Sequence, residues 1–242
     1  AVAGTPAKDY LGLATDALIE IGLTANRVDA ASHIGVARDL YAYLKHNNIP
    51  CKLNIPDVSA FAEGEGEAIP VEVTAVDGAP RYTGTTIKGV KVAASPEWLQ
   101  KKLLAIGLRP INNIVDISNY VLMETGQPLH IFDADKIKGK KVVVKCLAEG
   151  TPFVTLDGVE RKLSATNLMI CNAEEPMCIA GVFGGAESGV TENTTNIFIE
   201  SAYFNPTSVR KTSKYHGLQT DASFRFERGC DPNMTIYALK RA

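Results

Sequence analysis

The chain has 242 residues and a formal net charge of −2, with 45% hydrophobic and 21% charged residues. This composition is ordinary for a soluble globular protein, and the length suits one large domain or one domain with an appendage. Because the slight acidic excess creates no global basic field, it argues against a stand-alone nucleic-acid-binding protein. It does not exclude a module that a larger assembly presents with RNA.

The cysteines and the apolar runs further limit the class of protein to which the chain can belong. Five cysteines occur without a C-x-x-C spacing, which argues against a disulfide framework and a zinc site. We expect core thiols in a reducing cytosol. No signal-like start is apparent and no stretch approaches ~18 consecutive apolar residues, so we expect no membrane partner. The chain begins without Met, and we therefore expect a piece of a longer protein.

The first part of the chain predicts a linker, a strand and a helix. Residues 1–16 read as a linker, and alternating apolar residues predict a strand over Ala17–Leu23. Ser32 is a suitable N-cap for a helix over His33–Lys45. The Glu- and Gly-rich stretch Ala60–Ala68 is a plausible boundary loop.

Beyond residue 69 a two-residue apolar period predicts a series of short strands. The predicted strand regions are Val71–Ala75, Arg81–Val92, Lys141–Leu147, Pro152–Leu156, Val159–Leu163, Leu168–Cys171, Met177–Phe183 and Asn196–Ala202. Asp157-Gly158 separates the fourth and fifth of these and predicts a hairpin turn.

Four further helices are predicted from capping residues and from glycine or proline. Their predicted first residues are Ser95, Asp116, Asn205 and Asp231, and Gly107, Gly126 and Gly217 stop the first three. Short strands beside several helices, without regular βαβ alternation, predict an α+β domain over residues 69–242. Residues 1–68 then form an N-terminal strand–helix segment that belongs with a neighbouring domain.

The stretch Asp116–Asp133 carries polar residues at both ends of a short predicted helix. Ser118 and Asn119 lie in its first turn, and His130 follows its glycine stop. A core helix has less need of polar residues at both ends, so these three side chains are candidates for one cleft. A histidine buried or solvated for structural reasons is the alternative for His130.

Glu200 is the most specific single candidate for a functional residue, because it shares a strand face with Phe198 if the strand alternates regularly. An unpaired buried carboxylate costs several kcal/mol or loses its charge. Glu200 is therefore either a solvent-facing strand residue or a carboxylate held to accept a hydrogen bond from a ligand.

Three other patterns indicate chemistry less specifically. Gly181, Gly184 and Gly185 allow a backbone to approach a ligand closely, but their spacing matches no phosphate-binding loop, and a tight turn is the alternative. The string Phe224–Glu227 resembles the F-R-x-E signature of class II synthetases, although we favour internal ion pairs for its arginine. A basic patch on the predicted helix after Asn205 is either a solvated face or an RNA contact. It comprises Arg210, Lys211, Lys214 and His216.

Serine-hydrolase chemistry has no support, since the chain lacks a G-x-S-x-G elbow. No histidine pair has metal-ligand spacing, and no metal ligand is assigned.

Several strings together resemble the central part of the β subunit of bacterial phenylalanyl-tRNA synthetase. They are Ile21–Arg27, Ser32–Arg38, Val115–Val121, Gly126–His130, Gly181–Gly185, Glu200–Phe204, His216–Ser223 and Arg228-Gly229. They span nearly all of residues 17–242 in order. Two departures are mild: Val28 stands where the family often has Pro, and Ser118 where it often has Thr.

The resemblance implies an editing domain with a mixed β-barrel or sandwich-like core and flanking helices. In the family this domain hydrolyses tyrosine misattached to tRNA(Phe), while the α subunit charges that tRNA with phenylalanine. The implied catalytic residues are Ser118, Asn119 and His130, and the implied substrate-binding residues are Gly184, Glu200, Thr220 and Ala222. Glu200 matches the carboxylate that recognises the tyrosine hydroxyl.

The resemblance also implies partners outside this segment. We expect a cytoplasmic heterotetramer of two α and two β subunits that binds the 3′ end of tRNA(Phe), with ATP and Mg²⁺ used by the holoenzyme and no cofactor in this segment. A non-catalytic part of the β subunit that supports the α subunit or the tRNA is the main alternative. An independent RNA-binding module is disfavoured by the acidic balance. We expect the fragment alone to edit weakly.

Overall fold

The computed structural model describes residues 2–11 and 17–242. The α-helices in this part are α1 (Ala7–Tyr10), α2 (His33–His46), α3 (Glu97–Ala105), α4 (Asn113–Thr125), α5 (Pro206–His216), α6 (Asp221–Phe226) and α7 (Met234–Arg241). The strands are β1 (Val71–Val73), β2 (Arg81–Lys88), β3 (Leu129–Asp133), β4 (Val142–Cys146), β5 (Pro152–Val154), β6 (Glu160–Lys162), β7 (Leu168–Cys171), β8 (Pro176–Ile179), β9 (Phe183–Gly184) and β10 (Asn196–Tyr203).

The strands form three separate sheets. A five-stranded sheet has the order β1-β4-β7-β8-β9, in which only the β1–β4 pair is parallel. An antiparallel three-stranded sheet has the order β2-β10-β3, and β5 and β6 form a hairpin. The predicted α+β class with a mixed sheet core and flanking helices is therefore confirmed, with separate sheets rather than one closed barrel.

Strand β10 lies at the centre of the molecule because it is paired along both edges and covered on both faces. On one face, Phe198 belongs to the main core, together with Phe132 of β3 and Val144 of β4. On the other face, Ile197 and Ile199 join a second cluster that includes residues of α4 and α7. Each residue from Ile197 to Ala202 is at most 4% exposed, so Glu200 and Ser201 are buried together with the apolar residues of this strand.

The start of α4 differs from the sequence prediction, which used Asp116 as the cap. Asn112 is the N-cap, and its side-chain oxygen accepts hydrogen bonds from the Ile114 and Val115 amides. Asp116 is fully buried and accepts hydrogen bonds from the Ser95 hydroxyl at 2.5 Å and from the Ile111 amide at 2.9 Å. The cap prediction was wrong because two polar residues four positions apart, Asn112 and Asp116, compete for the role.

The same contact changes the start of α3. The Ser95 hydroxyl donates its hydrogen bond to Asp116 instead of capping α3, and α3 begins at Glu97 after Pro96. At the other end of α4, Gly126 has a left-handed conformation with φ of 80°, which confirms the predicted helix stop.

The predicted strand over Ala17–Leu23 is wrong. This stretch has no regular secondary structure, and Leu18 and Ile19 are 71% and 76% exposed. Within the described residues no neighbouring strand pairs with it, and alternation alone does not form a strand without a partner. Part of the predicted linker, residues 12–16 and residue 1, lies outside the described residues.

Helix α2 is confirmed, together with its N-cap. The Ser32 hydroxyl accepts a hydrogen bond from the Gly35 amide at 3.0 Å, and α2 packs on α4, where the His33 ring contacts the Met123 carbonyl at 3.0 Å. Residues 60–68 contain no helix or strand, as predicted for a loop. The division between residues 1–68 and 69–242 remains a prediction.

Other differences concern short elements. The region predicted as one strand over Met177–Phe183 is two strands, β8 and β9, joined by a turn in which Gly181 has φ of 68°. Helix α6 was not predicted. It begins with a capping box between Thr220 and Ser223, which lies within a polar stretch. The β5–β6 hairpin is confirmed, with Gly158 at φ of 76° in its turn. No helix in residues 2–11 and 17–242 is long and apolar enough to cross a membrane.

We predict that Asp116→Ala lowers the free energy of unfolding by about 2–4 kcal/mol, because the buried Ser95 hydroxyl and the Ile111 amide both lose their acceptor. Urea denaturation followed by circular dichroism measures this change. The matched control is Glu97→Ala, which removes a solvent-exposed ion pair with Lys101 and leaves the denaturation midpoint nearly unchanged. Equal effects of the two substitutions would contradict the assignment of Asp116 as a structural acceptor.

Candidate functional site

A cavity of about 300 Å³ opens between α4, β3, the β8–β9 turn, β10 and the start of α6. Its volume is at the lower end of the range for small-molecule sites. All seven residues that the sequence singled out line this cavity: Ser118, Asn119, His130, Gly184, Glu200, Thr220 and Ala222. Residues separated by up to 104 positions in the chain therefore meet at one place.

Glu200 is a deeply buried acidic group of the cavity, with 4% of its surface exposed. The regular alternation of β10 directs it to the same face as Phe198, and it lies directly across from His130 on β3 and Gly84 on β2. Burial raises the pKa of Glu200 to about 8. The carboxyl group is therefore mostly protonated at pH 7, so it both donates and accepts hydrogen bonds.

Tyr82 is a hydrogen-bond partner of Glu200 that the sequence did not indicate. Its hydroxyl donates a 2.6 Å hydrogen bond to Oε2 of Glu200, and this bond opposes the effect of burial on the carboxyl pKa. Burial and the nearby Glu200 raise the pKa of Tyr82 well above its usual value. The available sequence signal was the alternation Tyr82-Thr83-Gly84, but only the strand register shows that Gly84 lies opposite Glu200 and Tyr82 opposite Ala202, two residues further on the same face.

Gly84 and Gly184 permit the close packing around the carboxyl and the imidazole. A Cβ atom at Gly84 would lie 2.2 Å from Cζ of Phe198. A Cβ atom at Gly184 would lie 2.9 Å from Cε1 of His130 and 2.8 Å from a methyl group of Leu156. Any larger residue at either position would displace these side chains.

His130 lies on β3 with its ring edge-on to Phe132, at a centroid distance of 4.5 Å. Burial lowers the pKa of His130 to about 4, so the ring is neutral at pH 7. Among residues 2–11 and 17–242, no group forms a hydrogen bond with either ring nitrogen of His130. A neutral imidazole of this kind can accept a proton on one nitrogen and donate from the other.

Ser118 and Asn119 follow one another on α4 but differ in availability. The Ser118 hydroxyl donates to the Val115 carbonyl at 2.7 Å, so its oxygen is left as an acceptor. The side-chain amide of Asn119 has no hydrogen-bond partner in the described part of the chain. It is therefore free to donate from Nδ2 and to accept at Oδ1.

Thr220 and Ala222 form the wall contributed by α6. The Thr220 hydroxyl accepts from the Ser223 amide at 3.0 Å and donates to the Val182 carbonyl at 3.1 Å. These bonds hold the start of α6 against the β8–β9 turn. Arg225, in the F-R-x-E string, is buried and bonds Asp221 and the Ala31 carbonyl, which confirms an internal structural role.

A larger cavity of about 450 Å³ lies elsewhere in the fold and is lined by Lys88, Asp135 and Lys140 among others. These three charged side chains are exposed to solvent. The 300 Å³ cavity instead contains a carboxyl and an imidazole whose pKa values burial shifts in opposite directions. Such shifts cluster at functional sites, so we assign the candidate site to the smaller cavity. No group of three His, Cys, Asp or Glu side chains suited to a metal ion occurs within the described residues.

The chain belongs to the B3/4 domain family, whose model matches residues 78–242. It is 63% identical over 243 residues to a "Phenylalanine–tRNA ligase beta subunit" from Bacteroides fragilis and 62% identical over 243 residues to that of Bacteroides thetaiotaomicron. Each alignment covers 100% of this chain and 30% of the relative, so the chain spans about a third of those proteins. The resemblance found in the sequence is thereby confirmed.

A solved structure gives a more distant likeness. An N-terminal fragment of the phenylalanyl-tRNA synthetase β subunit from Pyrococcus horikoshii aligns with a TM-score of 0.44 and 17% identity, covering 81% of this chain and 60% of that chain.

The raised pKa of Glu200 predicts a pH-dependent stability. Because the folded pKa of about 8 exceeds the ordinary value of 4.5, ionisation of Glu200 opposes folding. The contribution is therefore fully present below about pH 4.5 and is lost as the pH rises through about 8. Relative to Glu200→Gln, which does not titrate, the free energy of unfolding of the wild type should fall by a few kcal/mol across this window.

Urea denaturation of both proteins from pH 4 to pH 9 measures this difference, and carboxyl ¹³C NMR measures the midpoint directly. A constant difference between the two proteins, or a Glu200 midpoint near 4.5, would contradict the burial of an uncompensated carboxyl group.

Proposed function

We propose that this chain is the editing domain of a phenylalanine–tRNA ligase β subunit and hydrolyses tyrosine esterified to tRNA(Phe). The observation that carries the proposal is a buried carboxyl group, Glu200, at the wall of an amino-acid-sized cavity and already bonded to a phenol. The family membership and the similarity to ligase β subunits support it.

The contact between Tyr82 and Glu200 is chemically the contact that a tyrosine ligand needs. A phenol donates a hydrogen bond to Oε2 of this carboxyl within the protein itself. No ion pair involves Glu200 in the described part of the chain, so its other oxygen, Oε1, is available to a second phenol. We therefore assign Oε1 to the hydroxyl of the bound tyrosine.

A site that requires the hydroxyl separates tyrosine from phenylalanine better than a site that excludes it. An apolar pocket rejects an added hydroxyl by only about a hundredfold, whereas a site built to bind a hydroxyl rejects the analogue without it by about 10⁴ or more. Phenylalanine in this cavity would leave the buried Glu200 carboxyl without its second partner. The correct product is thus spared and the mischarged product is removed.

The hydrolysis itself needs a positioned water, since an aminoacyl ester is already activated. We assign the water to the neutral His130 ring, which accepts a proton as the water oxygen attacks the ester carbonyl. The bond between that carbonyl carbon and the ribose oxygen then breaks, and His130 returns the proton to the leaving ribose oxygen. The products are free tyrosine and tRNA with an intact 3′ end.

Asn119 is the better candidate for stabilising the developing oxyanion. The backbone amides of Gly185 and Ala186 already donate to the carbonyls of Met177 and Val154, at 2.9 Å and 3.2 Å, so they are engaged. The unpaired Nδ2 of Asn119 is a free donor at the same cavity. The Ser118 oxygen, which is left as an acceptor, is assigned to a ribose hydroxyl.

The rest of the assembly belongs to the same proposal. We assign the ligase reaction, with ATP and Mg²⁺, to an α subunit in a cytoplasmic heterotetramer of two α and two β subunits. The residues of the present cavity do not fit that cofactor pair, because Glu200 and Asp221 are the only carboxyl side chains among the described residues that line it, and Asp221 pairs with Arg225. The isolated fragment should edit weakly, since most tRNA contacts would lie outside it.

A non-catalytic supporting role is the alternative, and incubation of the holoenzyme with tyrosyl-tRNA(Phe) separates the two. Release of free tyrosine supports editing, whereas its absence supports a purely structural domain. Filter binding of tRNA by the fragment alone tests the third possibility, an independent RNA-binding module.

Glu200→Ala in the holoenzyme should reduce the preference for tyrosyl-tRNA(Phe) over phenylalanyl-tRNA(Phe) by at least about a hundredfold in kcat/KM, because the hydroxyl loses its acceptor. Deacylation of the two radiolabelled substrates measures this ratio. Glu160→Ala, at an exposed position on β6, is the control and should leave the ratio unchanged. Unchanged deacylation of tyrosyl-tRNA(Phe) by Glu200→Ala would refute the assignment of the cavity.

Tyr82→Phe removes the phenol that holds Glu200 but keeps the aromatic ring, which packs edge-on to Phe204. Because this hydrogen bond lowers the carboxyl pKa, the Glu200 pKa should rise above about 8. The tyrosine preference should fall by about tenfold, as expected for one lost hydrogen bond. Carboxyl NMR and deacylation kinetics measure the two effects. Tyr203→Phe, at the end of β10, is the matched control, and equal effects of both variants would argue against a positioning role for Tyr82.

A further inference from the structure

Helix α5 presents a one-sided basic surface near the candidate site. Residues 201–220 contain no Asp or Glu in a chain whose formal net charge is −2. Arg210, Lys211 and Lys214 are exposed on α5, whereas Val209, Thr212 and Ser213 are buried against the core. Because residues three and four positions apart lie on the same side of a helix, the three cations form one stripe.

These three cations lack acidic partners in the described part of the chain. Some lysines elsewhere do have acidic partners: Lys138 pairs with Glu175 and Lys101 with Glu97. Tyr215 lies beside the stripe and exposes 55% of its surface. A cationic stripe with an exposed aromatic ring is the combination that proteins use for single-stranded nucleic acid, since cations bind phosphates and rings stack on bases.

The C-terminal end of α5 lies at the rim of the candidate cavity. The carbonyl of His216, the last residue of α5, accepts a hydrogen bond from Nη1 of Arg161 on the β5–β6 hairpin. Leu156, in the turn of that hairpin, lines the cavity. Thr220, four residues after His216, lines it too. A polymer with its end in the cavity and its chain leaving past this rim would therefore meet α5.

We propose that the α5 surface, comprising Arg210, Lys211, Lys214 and Tyr215, binds the sugar–phosphate backbone of the single-stranded RNA 3′ end whose terminal ester enters the cavity. This inference rests on the proposed function and adds to it the path of the RNA. The cations neutralise phosphates, and Tyr215 offers its ring to an unpaired base. The acidic balance of the whole chain restricts this contact to the immediate surroundings of the site.

The test compares two esters in the holoenzyme: tyrosyl-tRNA(Phe), and 3′-O-tyrosyl-adenosine, which has no phosphate. We divide kcat/KM for tyrosyl-tRNA(Phe) by kcat/KM for the adenosine ester. The variant Arg210→Glu/Lys211→Glu/Lys214→Glu should lower this ratio by at least about tenfold. The slope of log kcat/KM against log salt for tyrosyl-tRNA(Phe) should become shallower by about 2, as expected for three lost contacts with a single strand.

The matched control is a pair of single charge reversals. Lys214→Glu should lower the ratio. Lys88→Glu should leave it unchanged, because Lys88 is an exposed cation that lies outside the α5 surface. It pairs in register with Asn196 on β10, four residues from Glu200. Phenylalanylation of tRNA by each variant reports whether the holoenzyme remains assembled.

An unchanged ratio in the triple variant would overturn the assignment of the α5 surface. Equal losses of kcat/KM with both esters would indicate damage to the fold of the triple variant. In that case the wild-type enzyme decides: equal slopes of log kcat/KM against log salt for the two esters would also overturn the assignment of the α5 surface. If the wild-type holoenzyme hydrolysed neither ester, the proposed function would fail, and the RNA path would fail with it.

Discussion

The structure depends on the pairing of β10 with β2 along one edge and with β3 along the other. This arrangement buries both faces of β10 and fixes which residues stand opposite Glu200. His130 and Gly84 are its direct neighbours across the strands, and Tyr82 reaches it from the next position on the same face. A shift of one residue in either register would turn Glu200 toward the α4 and α7 side and remove it from the cavity.

Burial then creates the chemistry of the candidate site from ordinary residue types. It raises the pKa of the Glu200 carboxyl and lowers the pKa of the His130 ring, so both groups are largely uncharged at pH 7. An uncharged carboxyl bonds a phenol without an ion pair, and a neutral imidazole accepts a proton. One physical cause therefore keeps both groups in the protonation states that the proposed roles need, while the same lowered pKa makes His130 a weaker base.

The cavity and the surface beside it divide the proposed work between short-range and long-range forces. Inside, hydrogen bonds at fixed distances select the amino acid, and their strength depends on the exclusion of water. Outside, the cations of α5 act through charge, which salt screens and which carries no information about the amino acid. This division explains why the selectivity is expected to depend on Glu200 and Tyr82, and the salt dependence on α5.

Much of the architecture followed from the sequence alone. Capping residues and glycine stops predicted α2, α5 and the end of α4, and two-residue alternation predicted most strands, because these signals act over a few neighbouring residues. The same local signals failed where two polar residues competed for one role, as Asn112 and Asp116 did at the start of α4. They failed again at Ala17–Leu23, where alternation had no partner strand within the described residues.

The sequence by itself determined the family and, through it, the seven residues that line the cavity. Only the tertiary structure decided that Glu200 is buried rather than solvent-facing, and that Tyr82 is its partner. It also showed that the Thr220 hydroxyl and the amides of Gly185 and Ala186 already form hydrogen bonds, whereas the Asn119 side chain has no partner in the described part of the chain, which supports the oxyanion role proposed for Asn119. The reason is that burial and hydrogen-bond partners depend on residues distant in the chain, whose meeting is set by strand register and packing rather than by local pattern.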